Sequence, residues 1–298
     1  MSAPPRPNPL RSSRAFRRLW IARTLSHVGD GIAVVALVLL VQGSQRTGVA
    51  VGVLLLASSL PRFLGPFAGV VADRIGQRAL MVGCDLGNAA IFLVIAGLAP
   101  SFPWLLALVA ASAVLDTLFA PAGRSAIPAL VAPEELLQAN AWMGTSLNLQ
   151  VAVGTLLGGA LVAGLGARGA LAANALSFLL SAALLTGLPP LRPPREGERR
   201  GFLAVGTAGL AYAWQTPLVR ALVVALFLGV AFAAVDNVAL VFLVRETLGG
   251  GPLAFGVVTA AYGVGMLAAS IGLSWRRATV AAGHCCCSAG RRAGRGPS

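Results

Sequence analysis

Ionisable side chains inside apolar stretches are the residues of this sequence that could do chemistry. His27 and Asp30 lie three positions apart in such a stretch, so on a helix they share one face. A carboxylate there can accept a proton or pair with a cation, and an imidazole can relay the proton. The alternatives are an internal ion pair or a packing hydrogen bond for Asp30, and an ordinary hydrogen bond for His27.

A second acidic residue, Asp236, stands in a stretch that matches the surroundings of Asp30. DGIAVV begins at Asp30 and DNVALV begins at Asp236, 206 positions later, while AVGV at Ala50 is matched by AFGV at Ala254. Two matches in nearly the same register predict an internal repeat in which the two acids are counterparts. Both are therefore candidates for a proton or substrate site in one central cavity.

Arg62 and Asp116 are the remaining charged candidates for that cavity. Arg62 follows Pro61, and it either reaches an acid of the helix bundle or lines the cavity. Asp116 and Asp85 lie toward the cytoplasmic ends of their segments. A charged group at membrane depth is costly, which makes Arg62 and Asp116 functional hypotheses.

Motifs for covalent or metal-assisted catalysis do not accompany these residues. The sequence has no H-E-x-x-H zinc motif, no G-x-x-x-x-G-K phosphate loop and no G-x-S-x-G serine turn. His284 and the adjacent Cys285, Cys286 and Cys287 lack the C-x-x-C spacing of metal sites. We therefore predict no enzyme activity, no metal and no cofactor.

Segments of bilayer length must position the ionisable residues. The chain is 57% hydrophobic and 11% charged, with a mean hydropathy of +0.80, whereas a soluble domain has about 25% charged residues. A membrane-spanning helix needs about 20 mostly apolar residues. We read such segments at 19–42, 48–72, 79–99, 103–122, 141–166, 169–188, 218–244 and 252–275. The sequence thus predicts an all-α polytopic membrane protein.

The distribution of arginine predicts the orientation in the membrane. All 23 basic residues are arginine, and the formal net charge is +13. If the N-terminus is cytoplasmic, only Arg46, Arg168 and Arg245 fall in outside loops, as the positive-inside rule requires. No loop is long enough for the basic face of a nucleic-acid-binding domain. We expect an inner or plasma membrane protein with a cytoplasmic N-terminus, in contact with lipid and not with nucleic acid.

Helix-breaking residues divide the chain into two unequal parts. The stretch LPPLRPPREGERRGF is rich in proline and charge, which predicts a linker. We expect a basic cytoplasmic N-terminus at 1–18, a six-helix bundle at 19–188 and a cytoplasmic linker at 189–217. An incomplete second bundle with helices seven and eight follows at 218–275, and a tail occupies 276–298.

A glycine-rich, charged loop follows the second segment. GVVADRIGQR, from Gly69 to Arg78, has the pattern G-x-x-x-D-R-x-G-x-R and resembles the signature loop of the major facilitator superfamily. We expect Gly69 to let a backbone come close, Asp73 to accept hydrogen bonds at the next helix and Gly76 to permit a tight turn. Arg74 and Arg78 are expected at the anionic inner membrane surface.

The resemblance implies that this loop controls switching between inward-open and outward-open states, through contacts that form in only one of them. Asp73 is expected to pair with Arg124 and so latch the inner ends of helices two and four. Two parallel six-helix repeats are the architecture of this superfamily. The implied fold is the six-helix N-terminal bundle plus the first two helices of the C-terminal bundle.

Further stretches resemble exporters similar to the enterobactin and macrolide efflux proteins. They are VGDGIAVVALVLLV, LPRFLGPFAGVVADR, FAPAGRSAIPALVAPEELLQANA and the run 153–185. One departure is that drug antiporters often carry Gly-Pro in helix five, where this sequence has Gly154 and Thr155. Gly154, Gly158 and Gly159, with Gly65 in helix two, are expected to be small-residue packing positions.

The resemblance implies a secondary active transporter that exports a small amphipathic molecule, drug-like or siderophore-like, in exchange for ions, with protons expected. The oligomeric state stays open. The alternative is a non-transporting or non-functional membrane fragment that serves as an interaction scaffold. A membrane-embedded enzyme is disfavoured because paired catalytic groups are missing.

The repeat offsets of 206 and 204 residues predict a parent about twice that length. We therefore expect a C-terminally truncated member that lacks helices nine to twelve. The tail RRATVAAGHCCCSAGRRAGRGPS differs sharply in composition from the preceding text, and we expect it to be out of frame.

Overall fold

The computed structural model describes residues 8–45, 47–191 and 214–265, and in these ranges the chain is helical without strands. The α-helices are α1 Pro9–Ser12, α2 Arg14–Gln45, α3 Gly48–Ser59, α4 Gly65–Arg74, α5 Gln77–Leu98, α6 Phe102–Ala126, α7 Leu136–Leu149, α8 Thr155–Thr186, α9 Pro217–Phe242 and α10 Pro252–Gly265. Short 3-10 turns occur at Leu60–Leu64, Ile127–Ala129 and Pro133–Glu135, and π turns at Gln150–Gly154 and Leu243–Thr247. The predicted all-α fold class is confirmed.

Four helical stretches in the described ranges are long and apolar enough to cross a membrane: Arg14–Gln45, Gln77–Leu98, Phe102–Ala129 and Pro133–Thr186. The predicted second segment, 48–72, is broken into α3 and α4 by the 3-10 turn around Pro61, which lacks the amide hydrogen of a regular helix. Residues 192–213 of the predicted linker, residues 266–275 of the predicted eighth segment and the whole tail lie outside the described residues.

The chain reverses direction at Gly166, inside the stretch assigned to α8. Gly166 has φ 73° and ψ 173°, a backbone conformation that glycine adopts readily and other residues do not. Before this turn, Gly154 lies against Gly31 and Gly158 lies against Val35. Because the residue numbers of the contacting partners rise together along the two helices, the first half of α8 runs parallel to α2.

The second half of α8 runs the opposite way along α2. Asn174 lies against Gly29, and Gly187 lies against Arg18. The residue numbers thus rise along α8 while those of the contacting partners fall along α2. The stretch Thr155–Thr186 is therefore two antiparallel helices that meet at Gly166. Their junction falls between the predicted fifth and sixth segments, 141–166 and 169–188.

α2 is the central helix of the first half of the chain. It packs against both halves of α8 and also against α3 and α7. From Ile32 to Val41 it is apolar on every side, and only Val34 in this run is exposed. A helix that is apolar all round is one that is buried on all sides.

Large apolar side chains cover the outside of the bundle. Leu98, Leu137 and Trp104 are 77%, 79% and 69% exposed. An apolar surface of this kind is unfavourable in water and favourable in hydrocarbon. The helices can lie in hydrocarbon because their backbone groups are hydrogen-bonded internally.

Glycines of α8 allow the closest helix contacts. A Cβ on Gly154 would lie 2.7 Å from the carbonyl oxygen of Val28, and one on Gly159 would lie 2.9 Å from Cα of Gly256 in α10. Backbones approach this closely only where no side chain separates them. A Cβ on Gly65 would meet no described atom within 4 Å, so the packing role of Gly65 stays a prediction.

We predict that Gly154→Ala destabilises the folded chain by about 1–3 kcal/mol, because overpacking forces α2 and α8 apart. Thermal unfolding of the purified chain in detergent measures the effect. Gly164→Ala is the matched control, because a Cβ there has no heavy atom within 4 Å, and its midpoint should be unchanged or higher. Equal midpoints for the two variants would contradict the close contact at Gly154.

Candidate functional site

Arg23 is the basic residue around which the acids of three helices gather. It lies on α2, and its charge acts on the carboxylates of Asp30, Asp85 and Asp116. The guanidinium also lies over the ring of Phe119, 4.2 Å from the ring centre, where a planar cation is attracted to the aromatic face. We call Arg23, Asp30, Asp85 and Asp116 the charge cluster.

Asn88 and Arg62 complete the surroundings of Asp116. Asn88 Nδ2 donates a hydrogen bond of 2.8 Å to Asp116 Oδ1. Arg62, in the 3-10 turn between α3 and α4, is exposed, and its charge acts on Asp30 and Asp116. Of the two predicted possibilities for Arg62, an interaction with acids of the bundle is the one this arrangement supports.

The charge cluster lies deep along the helices that hold it. α2 has 32 residues, which is about 48 Å, and Asp30 stands at its midpoint. Asp85 is only 1% exposed. Buried charges of this kind are costly unless opposite charges and hydrogen bonds compensate them. The cluster can therefore change its charge balance by binding or losing a single proton or ionic group.

His27 is bonded to Gln150 and not to Asp30. Its Nδ1 lies 3.1 Å from Gln150 Oε1, across the contact between α2 and the π turn that precedes α8. The predicted hydrogen bond of His27 is therefore present, whereas the alternative of a direct His27–Asp30 relay is not formed here. The pair shares a helix face, but the nearer partner comes from another helix.

The π turn Gln150–Gly154 falls where the resembled drug antiporters often have Gly-Pro. Thr155 follows the turn, and its Oγ1 donates to the carbonyl oxygen of Val151. A π turn widens the helix locally and leaves its register irregular, as such turns often do at functional sites. This helix thus has an irregularity at that position without a proline.

The signature loop connects α4, which ends at Arg74, to α5, which begins at Gln77. Gly76 has φ −54°, which any residue can adopt, so the predicted need for glycine in this turn is wrong. A Cβ on Gly69 would meet no described atom within 4 Å. The predicted close approach of a backbone at Gly69 therefore does not involve the described residues, and it stays a prediction.

The other loop and cavity predictions concern side chains that are only partly described. Arg78 is half-buried and Arg124 is exposed. The charge of Arg124 acts on Arg23. The side chains of Asp73, Arg74 and Asp236 lie outside the described part of the structure, so the Asp73–Arg124 contact and the role of Asp236 stay predictions.

Two long-range contacts at the start of α2 were not predicted from the sequence. Ser12 Oγ donates 2.6 Å to Glu135 Oε1, and Trp20 Nε1 donates 2.8 Å to the carbonyl oxygen of Trp142. The partners are more than 120 residues apart, so no local pattern signals them. They hold α1 against the 3-10 turn that precedes α7, and the first turns of α2 against α7 itself.

Sequence reasoning also missed Asn88, Gln150 and Phe119 as partners of the candidate residues, and it left Asp85 out of the site. A signal for two of them was available. Asp85 and Asn88 are polar residues three positions apart in an otherwise apolar segment, and that spacing places them on one helix face.

We predict that Arg23→Gln destabilises the chain by about 3–5 kcal/mol, because buried acids then lose their compensating charge. Adding Asp116→Asn should restore part of the loss, since it removes one of those acids. Thermal unfolding in detergent measures both effects. Arg17→Gln, an exposed arginine on the same helix, should change stability by no more than about 0.5 kcal/mol. An equal loss for Arg17→Gln, without recovery by Asp116→Asn, would contradict the cluster.

Comparison with known proteins places the chain in a family. Residues 7–290 match a major facilitator family described as transmembrane secretion effector. The uncharacterized MFS-type transporter YfiS of Bacillus subtilis strain 168 is 25% identical over 276 residues, covering 90% of this chain and 66% of YfiS. The enterobactin exporter EntS of Citrobacter koseri is 32% identical over 207 residues, covering 65% of this chain and 49% of EntS.

A third relative and a solved structure agree with this assignment. EntS of Shigella boydii serotype 18 is 31% identical over 222 residues, covering 70% of this chain and 51% of that protein. This chain thus spans between 49% and 66% of the length of these relatives. A crystal structure of a POT family transporter in complex with a thioalcohol-conjugated peptide matches 78% of this chain and 51% of that one, with a TM-score of 0.53 at 12% identity, which shows a shared fold.

The family match and the apolar helices agree that this is a multi-pass membrane protein. The match covers nearly the whole chain, including the charge cluster and the signature loop. The chain belongs to the major facilitator superfamily, in its family of transmembrane secretion effectors.

Proposed function

We propose that the chain is a secondary active exporter of the inner or plasma membrane, which moves a small amphipathic molecule outward by alternating access. The observation that carries this proposal is the charge cluster, which places Arg23 and three acids at membrane depth on α2, α5 and α6. Ionisable groups at that depth mark substrate and ion pathways. Transporters of this architecture place their sites near the bilayer midplane, and we propose that the midpoint of α2 lies at that depth.

An ion gradient, with protons as the coupling ion, is the proposed source of energy. Asp30 and Asp116 act electrostatically on each other and on Arg23 and Arg62. Protonating one acid removes a negative charge that the arginines otherwise compensate. The altered balance favours a different arrangement of the helices, which is what an exchange cycle needs.

The substrate class follows from the relatives and from the side chains in the cluster. Two relatives are named enterobactin exporters, and this supports a siderophore-like or drug-like molecule. Arg23, held over the buried ring of Phe119, offers a cation to an amphipathic substrate. Asp236, the counterpart of Asp30 in the repeat, is proposed to face the same cavity.

Gating is proposed to use the signature loop and α6. Arg124 is exposed and lies in the last turn of α6, while Asp73 lies in the last turn of α4. α4 and α6 pack against each other. A contact between Asp73 and Arg124 that forms in only one state would hold these helix ends together.

We predict that the two ends of α6 face opposite sides of the membrane, with the N-terminus of the chain in the cytoplasm. In a variant whose four cysteines are replaced, Ser101→Cys should react with an impermeant maleimide added to intact cells. Glu134→Cys, exposed beyond the other end of α6, should react only after permeabilisation. The reverse pattern would contradict the proposed orientation.

We predict that proteoliposomes containing the chain move enterobactin or a cationic amphipathic dye when a pH gradient is imposed. Asp30→Asn should reduce this flux about tenfold or more, which is about 1.4 kcal/mol in the rate-limiting barrier. Glu134→Gln, which removes an exposed acid outside the cluster, is the control and should transport normally.

The same experiment separates transport from a scaffold role. A folded chain that moves neither compound, with or without a gradient, would contradict the exporter and favour an interaction scaffold. Flux that is equal in Asp30→Asn would instead contradict the role of the charge cluster.

A further inference from the structure

Unpaired polar atoms lie between α5 and the second half of α8. Among the described residues, Asp85 Oδ2, Asn88 Oδ1 and Ser181 Oγ have no partner at hydrogen-bond geometry, although the Ser181 hydroxyl lies close enough to act on the Asp85 carboxyl. Their side chains are 1%, 1% and 0% exposed. Buried polar atoms are nearly always hydrogen-bonded. Three such atoms on two helices that pack against each other therefore indicate a missing ligand.

The geometry shows which kind of atom is missing. Asp85 and Asn88 stand three positions apart on one face of α5, and the Ser181 hydroxyl faces the Asp85 carboxyl. The amide nitrogen of Asn88 is already donated to Asp116, so the oxygen of that amide is the atom left over. Two acceptor oxygens thus share one hydroxyl donor, and the site lacks a second donor.

We propose that Asp85 binds and releases the proton that drives transport, in a site formed with Asn88 and Ser181. A proton on Asp85 Oδ2 forms an O–H group that donates to Asn88 Oδ1. The hydroxyl of Ser181 donates to the other carboxyl oxygen. On release the proton passes to water, and the carboxylate keeps Ser181 and the positive charge of Arg23 as compensation.

A proton suits this site better than a metal ion does. Calcium takes six to eight oxygen ligands and magnesium requires an octahedron, whereas the pocket offers three side-chain oxygens within helices whose carbonyls are bonded internally. Among the described residues, no group of three His, Cys, Asp or Glu side chains is arranged to hold a metal ion. One proton needs only a donor position and an acceptor.

Charged groups on two neighbouring helices act on Asp85, and the second half of α8 contributes the Ser181 hydroxyl. On α2 they are Arg23 and Asp30, and on α6 the group is Asp116. Cys84 is its titratable neighbour on α5. Arg23 favours the charged carboxylate, and the two acids oppose it. A proton on Asp85 therefore frees Arg23 to interact more strongly with Asp30 and Asp116, which are the residues of the proposed transport site.

The test follows the protonated carboxyl itself, so that it does not depend on transport. Infrared spectra of the full chain in detergent are recorded as the pH is raised, and the C=O stretch of protonated carboxyls is followed. We expect a band that Asp85→Asn removes and that Asn88→Ala shifts, because the O–H loses its acceptor.

Glu135→Gln is the matched control and should leave the band in place. Glu135 is also buried, at 5% exposed, but its two oxygens accept hydrogen bonds from Ser12 Oγ and from the Ala132 amide. The Asn88→Ala variant keeps Asp85, so the shift tests the site even if Asp85→Asn does not fold.

Three results would overturn the assignment: a band that persists in Asp85→Asn, a band that Asp116→Asn removes instead, or a band that Asn88→Ala leaves unshifted. A band that disappears when sodium replaces an organic cation at constant pH would show a sodium site, and it would also overturn the proposal.

The role of Asp85 in transport rests on the proposed function. A band with the expected behaviour in a chain that moves no substrate would defeat the proposed function while leaving the proton site in place.

Discussion

The constraint on which this structure depends is that charge at membrane depth must be compensated by protein groups, since hydrocarbon offers none. α2 carries Arg23, His27 and Asp30 through the centre of the bundle, and partners come from different helices. Arg23 interacts with acids of α5 and α6 and with Phe119, while His27 is bonded to Gln150 ahead of α8. The packing of helices around α2 is therefore also the arrangement of its charge partners.

Glycine makes this arrangement possible because it lets backbones meet where side chains would hold them apart. Gly31 and Gly154 bring α2 and α8 into direct contact, and the reversal at Gly166 returns the chain along the other side of α2. Gly159 and Gly256 form the same kind of close backbone contact between α8 and α10. The contact between α8 and α10 at these glycines is thus made directly between backbones.

Sequence reasoning predicted those features that depend on local composition. Apolar length gave the positions of most helices, the proline at Pro61 coincided with a break, and Gly166 ended a predicted segment. Features that depend on a distant partner could not be predicted in this way. The Ser12–Glu135 hydrogen bond joins residues 123 positions apart, and the nearest partner of His27 proved to be Gln150 instead of Asp30.

The signature loop also has features that its local sequence pattern did not predict. The pattern G-x-x-x-D-R-x-G-x-R identified the family, which the comparison confirms, but it did not give the reason for each glycine. Gly76 adopts an ordinary backbone conformation, and no atom of the described residues would lie within 4 Å of a Cβ on Gly69. A role that depends on contacts in another state of the cycle cannot be read from the spacing of the residues.

The most direct measurement of the central claim drives the exchange with a substrate gradient instead of a pH gradient and follows the protons. Proteoliposomes are loaded with substrate at equal pH on both sides and diluted into substrate-free buffer, while a trapped dye reports the internal pH. Because coupling between two ligands is reciprocal, the account predicts that outward movement of substrate carries protons inward and lowers the internal pH. Substrate that leaves while the internal pH stays constant would contradict proton-coupled export.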